Sequence, residues 1–333
     1  MKIVLDAMGG DFGPEPNVEA AIQAAKDFNI EIALVGKQEL IRPLLAKANT
    51  AGLMLPVVHA SEVVEMDEHP SAAVRAKKDN SMSVGMRLIK DGAADAFVTM
   101  GNTGAGMAAA LFTLGRIKGV NRPAISAAIP HLKGHTFMID IGANTEVKPE
   151  NLVQFALMGS IYVERVLRVR NPKVALLSNG EEDSKGTETV QAANALLHKA
   201  PLNFIGNVQG YDILKGTADV VVADGFTGNI AIKLMEGMMP LMEDLLKKAF
   251  YSSAKMKLAG ALAKDDLKSV IKSSLNYEAI GGAPLLGVDG VVIIGHGRSK
   301  APAIYSAIQR AKEAVENGVV DAIEKGLEAL PSA

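Results

Sequence analysis

The sequence contains no cysteine. Disulfides, thiolate metal sites, iron–sulfur clusters and a cysteine nucleophile are therefore excluded. Its 35 basic and 37 acidic residues leave a formal net charge of −2. No global basic field exists to hold nucleic acid, so that class of function is set aside. No apolar run approaches the roughly 20 residues of a membrane span. The opening Met1-Lys2-Ile3-Val4-Leu5-Asp6 reaches an acid too soon for a signal peptide. No Pro/Ser-rich linker, low-complexity tract or clear repeat divides the chain. A cytoplasmic protein is expected, with contact to a membrane surface left open.

Apolar residues, by contrast, are abundant. They make up 48% of the 333, enough for a substantial core. Short β-branched runs occur at 2–6, 31–35, 54–59, 95–99, 124–130, 135–140, 173–177, 203–206, 219–223 and 291–295. Helical patterns at 14–27, 38–48, 103–115, 150–168, 184–198 and 299–317 fall between them. Most of the runs are continuously apolar, as in Val220-Val221-Val222, which suits strands covered on both faces. The alternation predicts a doubly wound α/β fold with helices on both faces of the sheet. Only His131-Leu132-Lys133-Gly134 separates two of the runs, too little for a crossover helix. An antiparallel hairpin is expected there, so the sheet should be mixed and mostly parallel. One α/β domain over 1–333, with interleaved lobes, is the expected organisation.

Six runs end in similar loops, which are expected on one side of the sheet. They are Asp6-Ala7-Met8-Gly9-Gly10-Asp11, Gly101-Asn102-Thr103-Gly104, Asp140-Ile141-Gly142-Ala143-Asn144-Thr145, Ser178-Asn179-Gly180-Glu181-Glu182, Asp224-Gly225-Phe226-Thr227-Gly228-Asn229 and Gly295-His296-Gly297-Arg298. Ligands of parallel α/β sheets bind outside the carboxyl ends of the strands. Glycine lets the backbone approach a ligand, and Asn and Asp supply short polar arms. Turn-making alone explains any single loop; six together point to a site. The loop 101–106 lacks the G-x-G-x-x-G order, and no acid follows at the ribose spacing, so a nicotinamide site is disfavoured.

Ser184 reads as a helix N-cap, which sets Lys185 in the first helical turn beside Gly186. A cation there opposes the helix dipole, and an anion would meet the ammonium and the helix amides together. Pairing with Glu181, Glu182 or Asp183 is the competing reading. The stretch Arg75-Ala76-Lys77-Lys78 reads as a solvated helix face. His296, between two glycines, is a stronger candidate than His59 or His198, which sit in ordinary strand and helix patterns. No cluster calls for a metal, and neither a metal nor an organic cofactor is expected.

Residues 230–275 form the other distinctive region. Met235, Met238, Met239, Met242, Leu245 and Leu246 recur at helical spacing and read first as a Met-rich core or dimer interface. Further on, Lys255, Lys257, Leu258 and Leu262 mix lysines with apolar residues. There a protruding amphipathic hairpin, suited to a membrane surface or an acidic partner protein, is an equal alternative.

Taken together, the loop motifs resemble the phosphate acyltransferase (PlsX) family of bacterial phospholipid synthesis. The likeness also rests on Ala94-Asp95-Ala96, Lys185-Gly186, Gly206-Asn207-Val208 and Gly281-Gly282-Ala283-Pro284-Leu285-Leu286-Gly287, and it covers nearly the whole chain. The resemblance implies a fold like the isocitrate and isopropylmalate dehydrogenases, without nicotinamide, and a homodimer. It implies transfer of a fatty acyl group from acyl carrier protein to inorganic phosphate. It favours peripheral membrane contact by 230–275.

With that chemistry, Lys185 and the loop amides of Gly9, Gly10, Asp11, Asn102, Thr103 and Gly104 are expected to hold phosphate. Asn229 and Asn144 are expected to polarise the thioester carbonyl, and Asp6 or Asp11 to orient these groups. His296 is the candidate for protonating the leaving thiolate. An acyltransferase using coenzyme A, a redox enzyme and a membrane-associated scaffold are the alternatives.

Overall fold

The computed structural model describes residues 1–275 and 281–330; side chains are described outside 268–275. The domain expected over 1–333 thus includes 276–280 and 331–333, which lie outside the described residues. The chain opens with β1 (Lys2–Asp6), α1 (Pro14–Phe28), β2 (Glu31–Gly36), α2 (Gln38–Lys47), β3 (Val57–His59), α3 (Pro70–Ala76), α4 (Ser81–Lys90), β4 (Ala96–Thr99) and α5 (Thr103–Thr113). It continues with β5 (Ala124–His131), β6 (Gly134–Ile139), α6 (Pro149–Arg165), β7 (Val174–Leu177), α7 (Glu188–Leu197), β8 (Phe204–Val208), α8 (Gly210–Lys215), β9 (Val220–Val222), α9 (Gly225–Phe250) and α10 (Ala254–Leu275). It then returns with β10 (Ala283–Leu286), β11 (Val291–Ile294), α11 (Ala301–Glu316) and α12 (Val319–Glu328).

Among the described residues, eleven strands join one sheet in the order β3-β2-β1-β4-β11-β10-β5-β6-β9-β7-β8. The mostly parallel, mixed α/β sheet agrees with the sequence. Alternate residues of each buried strand feed opposite faces. Ile3, Leu5, Ile32 and Leu34 pack with α1 and α11, while Val4, Ala33, Val35 and Phe97 pack with α4 and α5. That two-sided burial is why these runs carry no polar alternation. The antiparallel hairpin is present as β5 and β6, paired from Ser126 with Ile139 to His131 with Gly134.

One expectation fails. β11 pairs antiparallel with β10, β10 with β5, and β5 with β6. β1, β4 and β11 therefore run one way, and β6, β9 and β7 the other. The six loops do not lie along one side of the sheet; they form a set of three at each of two opposed ends. The joint between the halves is short. β5 meets β10 only through Ile125–Leu285 and Ala124–Leu286, reinforced by the Ser126 hydroxyl donating to the Pro284 carbonyl at 3.0 Å.

The Met-rich stripe, expected as core or dimer interface, is not core within this chain. α9 is 26 residues long, yet only Gly225 and Gly228 in it are buried. Ala231, Ile232 and Met235 rest against the sheet, but Met238, Met242 and Leu245 are about half exposed, at 45%, 49% and 52%. α10 packs back against α9 and reaches β5, so the two helices form a hairpin arm. Leu258 and Leu262 are exposed on it at 65% and 77%. No helix among the described residues is long and apolar enough to cross a membrane.

Candidate active site

The first set of loops is organised by Asp6, the last residue of β1. Its carboxylate is buried and accepts the Thr99 hydroxyl at 2.7 Å and the Met8 amide at 3.0 Å. The Thr99 oxygen in turn accepts the Gly101 amide at 2.9 Å, tying the ends of β1 and β4 together. Burial pushes the Asp6 carboxyl above its ordinary range, and bonds from Thr99, Ser81, Met8 and Gly9 pull the other way without cancelling it. Gly9 is forced to be glycine by proximity, since a Cβ there would stand 2.7 Å from the Gly101 nitrogen. Gly10 adopts φ 99°, which favours glycine, and the next amide, Asp11, donates to the Gly297 carbonyl at 2.8 Å.

That last bond brings the β1 and β11 loops together, so Asp6, Gly9, Gly10, Asp11 and His296 share one rim. His296 is exposed, and its Nδ1 accepts the Arg298 amide at 3.1 Å. In the neutral ring the proton then lies on Nε2, which is the donor. Asn102 caps α5 by accepting the Ala105 amide at 3.0 Å. Its amide group holds the Met66 and Glu68 carbonyls at 3.0 and 3.3 Å. Asn102 therefore shapes the loop, while Thr103 is exposed and Gly104 part-exposed at the helix start.

The second set is organised by Asp140, at the end of β6. Its backbone is left-handed, φ 50°, a cost of roughly 1–2 kcal/mol that Asp tolerates better than most. The buried carboxylate accepts the amides of Gly142, Ala143 and Asn144 at 3.2, 2.7 and 3.0 Å, and the Asn144 side chain at 2.9 Å. Burial raises its pKa, with those four bonds opposing. Asn144 gives its other amide proton to the Pro123 carbonyl at 2.8 Å. With both protons engaged, Asn144 holds the loop and has no donor left to polarise a carbonyl. Asn229 is different. It is exposed, and its side chain lies over Gly142, where a Cβ would come within 3.8 Å of it.

Lys185 lies between β7 and α7, and its place differs from the sequence reading. The N-cap is Thr187, whose hydroxyl accepts the Val190 amide at 3.3 Å, and the helix begins at Glu188. Gly186, at φ 96°, separates Lys185 from it. The lysine instead closes a turn, its amide donating to the Glu182 carbonyl at 2.9 Å. Its stem folds over Gly180, where a Cβ would be 2.6 Å from Lys185 Cγ. It is exposed and, among the described residues, makes no ion pair, so the pairing with Glu181, Glu182 or Asp183 does not form.

Asn229 and the Lys185 loop thus belong to one half, and Asp6, Gly9, Gly10, Asp11, Asn102, Thr103, Gly104 and His296 to the other. No hydrogen bond links the two groups among the described residues. The core is continuous across the joint: Ile141 and Ala143 rest on a cluster that holds Ile125 of β5 together with Ala105 and Ala109 of α5. Lys255, Lys257, Leu258 and Leu262 lie apart, on α10.

Solved structures share this fold. A phosphotransacetylase from Streptococcus pyogenes matches with a TM-score of 0.63 at 20% identity, over 97% of this chain and 94% of that one. A putative 4-hydroxythreonine-4-phosphate dehydrogenase from Salmonella typhimurium matches with a TM-score of 0.53 at 12% identity, over 94% and 98%. The fold class is therefore the one that phosphotransacetylases share with such dehydrogenases. Sequence relatives narrow it. Phosphate acyltransferases from Heliobacterium modesticaldum and Dictyoglomus turgidum are 49% and 50% identical to it, each over 98% of this chain and 97% and 98% of their own. A family model described as fatty acid synthesis protein matches residues 1–322. The chain belongs to that family and is an acyltransferase.

Proposed function

We propose that the protein transfers a fatty acyl group from acyl carrier protein to inorganic phosphate, and that the acyl phosphate serves phospholipid synthesis in the cytoplasm. The near full-length relatives named phosphate acyltransferases support the reaction class. The observation that carries the phosphate assignment is Lys185, an exposed cation without an ion pair among the described residues, folded over a glycine at a strand end.

Phosphate dianion is already nucleophilic near neutral pH, so the site has to orient it and offset its charge more than activate it. In the proposed step a phosphate oxygen attacks the thioester carbonyl carbon and a C–O bond forms. Negative charge moves to the carbonyl oxygen. Its collapse breaks the C–S bond, and the thiolate leaves with the carrier. Lys185 holds the phosphate, and the amides of Gly9, Gly10, Asp11 and Asn102–Gly104 on the other half complete the anion site when the two loop sets are brought together. The Asn229 amide donates to the developing oxyanion. Donors of this kind are worth roughly 3–4 kcal/mol in comparable sites. Asp6 fixes the β1 and β4 loops, and the His296 Nε2–H donates a hydrogen bond to the departing thiolate, which takes its proton from solvent. No metal or cofactor takes part in this scheme.

The exposed stripe of Met238, Met242 and Leu245 supports a homodimer through the arm. Lys255 and Lys257 beside Leu258 and Leu262 support peripheral contact with an anionic membrane or with the acidic carrier protein. The donor is tested by presenting one long acyl group on acyl carrier protein and on coenzyme A, with phosphate present. Thiol release at least tenfold faster from the carrier is expected. Equal or faster release from coenzyme A favours the alternative, an acyl-coenzyme A:phosphate acyltransferase.

A further inference from the structure

Asn207 lies in β8 and Asn194 in α7, and neither has been given a chemical role above. Both are buried, at 6% and 2% exposure. Buried amides are costly unless each polar atom is used, so what they bind is informative. Asn207 Nδ2 donates to the Glu182 carbonyl at 2.9 Å. Its Oδ1 accepts from Asn194 Nδ2 at 3.1 Å, and Asn194 Nδ2 also donates to Asp183 Oδ1 at 3.0 Å. The Glu182 carbonyl is the one that the Lys185 amide closes on, at 2.9 Å. Asp183 is otherwise solvent-facing, and its other neighbour, His198, stands 3.6 Å away. Two interior side chains thus reach out of the core and grip consecutive residues of one exposed turn, the turn that ends in Lys185.

We infer that Asn207, supported by Asn194, is a positioning residue that sets the Lys185 ammonium for phosphate. The inference rests on the phosphate role proposed for Lys185. Lys185 has a long flexible stem, and a point charge on such a stem contributes little unless its base is fixed. Gly180 guides the stem from one side, and Asn207 fixes the turn from the other. A misplacement of about 1 Å costs as much as a hundredfold in rate where geometry supplies the catalysis.

The test is a double-mutant cycle on the full-length protein, read as KM for phosphate and kcat separately. Asn207→Asp keeps the volume and the acceptor for Asn194 but replaces the donor facing Glu182 with an oxygen. A rise in phosphate KM of roughly tenfold is expected, with kcat at saturating phosphate within about threefold. In the Lys185→Ala background the same substitution should leave the phosphate KM unchanged, because the group it positions is gone. A purely structural role would lower the melting temperature and act alike in both backgrounds. If Asn207→Asp does not fold, Asn194→Ala takes its place in the cycle, with a rise of about threefold expected. A normal Lys185→Ala defect together with a silent or fully additive asparagine variant overturns the positioning role alone. Lys185→Ala with an unchanged phosphate KM overturns the role of Lys185, and this inference with it.

Discussion

Asn144 donates one amide proton to Asp140 at 2.9 Å and the other to the Pro123 carbonyl at 2.8 Å. The pair links the end of β6 to the start of β5 and commits Asn144 to structure, which leaves Asn229 as the asparagine proposed to donate to the oxyanion. The two asparagines should therefore separate experimentally. Asn144→Ala leaves a buried carboxylate and a carbonyl short of donors, a loss of about 2–3 kcal/mol, and thermal unfolding should shift down by roughly 5 °C. Asn229→Ala should leave the melting temperature within about 1 °C and lower kcat about a hundredfold. The reverse pattern would return the carbonyl-polarising role to Asn144.

The buried carboxyl of Asp6 gives a pH dependence of defined sign. Its folded pKa is raised above the ordinary 3.8, chiefly by burial. Between the two values the folded state holds more protons than the unfolded state. Its contribution to stability is full below 3.8 and is lost as pH rises through the folded value. Relative to Asp6→Asn, which does not titrate, the parent should gain in melting temperature as pH falls from 7 towards 4. Calorimetry of both proteins over that range decides it; a gap that moves the other way means that bonds from Thr99 and the amides outweigh burial.

Much of this was legible in the sequence, because buried strands are continuous apolar runs and the four-residue link between the runs 124–130 and 135–140 admits only a hairpin. Strand direction across the sheet was not. It depends on β10, a short Pro-containing segment that pairs with β5 through two residues far away in sequence. Without that pairing nothing in the six loops says which end of the sheet each occupies. Ser184 and Thr187 are both good N-cap residues, and only the left-handed Gly186 decides for Thr187. Asn144 and Asn229 are equivalent in composition; what separates them is the Pro123 carbonyl, brought in by the fold. The Met stripe of α9 has the spacing of a core helix, and spacing cannot tell whether the chain itself covers that face.

Two glycines should respond oppositely to alanine. A Cβ at Gly228 would stand 2.0 Å from the Asp140 carbonyl oxygen, a backbone atom that cannot yield. Gly228→Ala should unfold the second set of loops or cost more than about 3 kcal/mol. Gly237, in exposed α9, has nothing within 4 Å of such a Cβ. Gly237→Ala should stabilise the arm by about 0.5–1 kcal/mol. Chemical denaturation of the two variants is the check, and a tolerated Gly228→Ala would contradict the packing described.

The arm is tested by charge. Leu245→Glu in α9 should shift the proposed dimer to monomer in sedimentation. Leu258→Glu with Leu262→Glu in α10 should reduce flotation with anionic vesicles at least fivefold. Unchanged sedimentation would remove α9 from the dimer, and unchanged flotation would remove α10 from the membrane.

The central claim is that phosphate is the acyl acceptor and that Lys185 holds it. The direct measurement is thiol release from long-chain acyl-acyl carrier protein, with and without phosphate, alongside capture of acyl phosphate by hydroxylamine. Release should depend on phosphate, with one hydroxamate per thiol, and Lys185→Ala should lose about a hundredfold or more in kcat/KM for phosphate at an unchanged melting temperature. Release that proceeds equally without phosphate, or a Lys185→Ala protein as active as the parent, would contradict it.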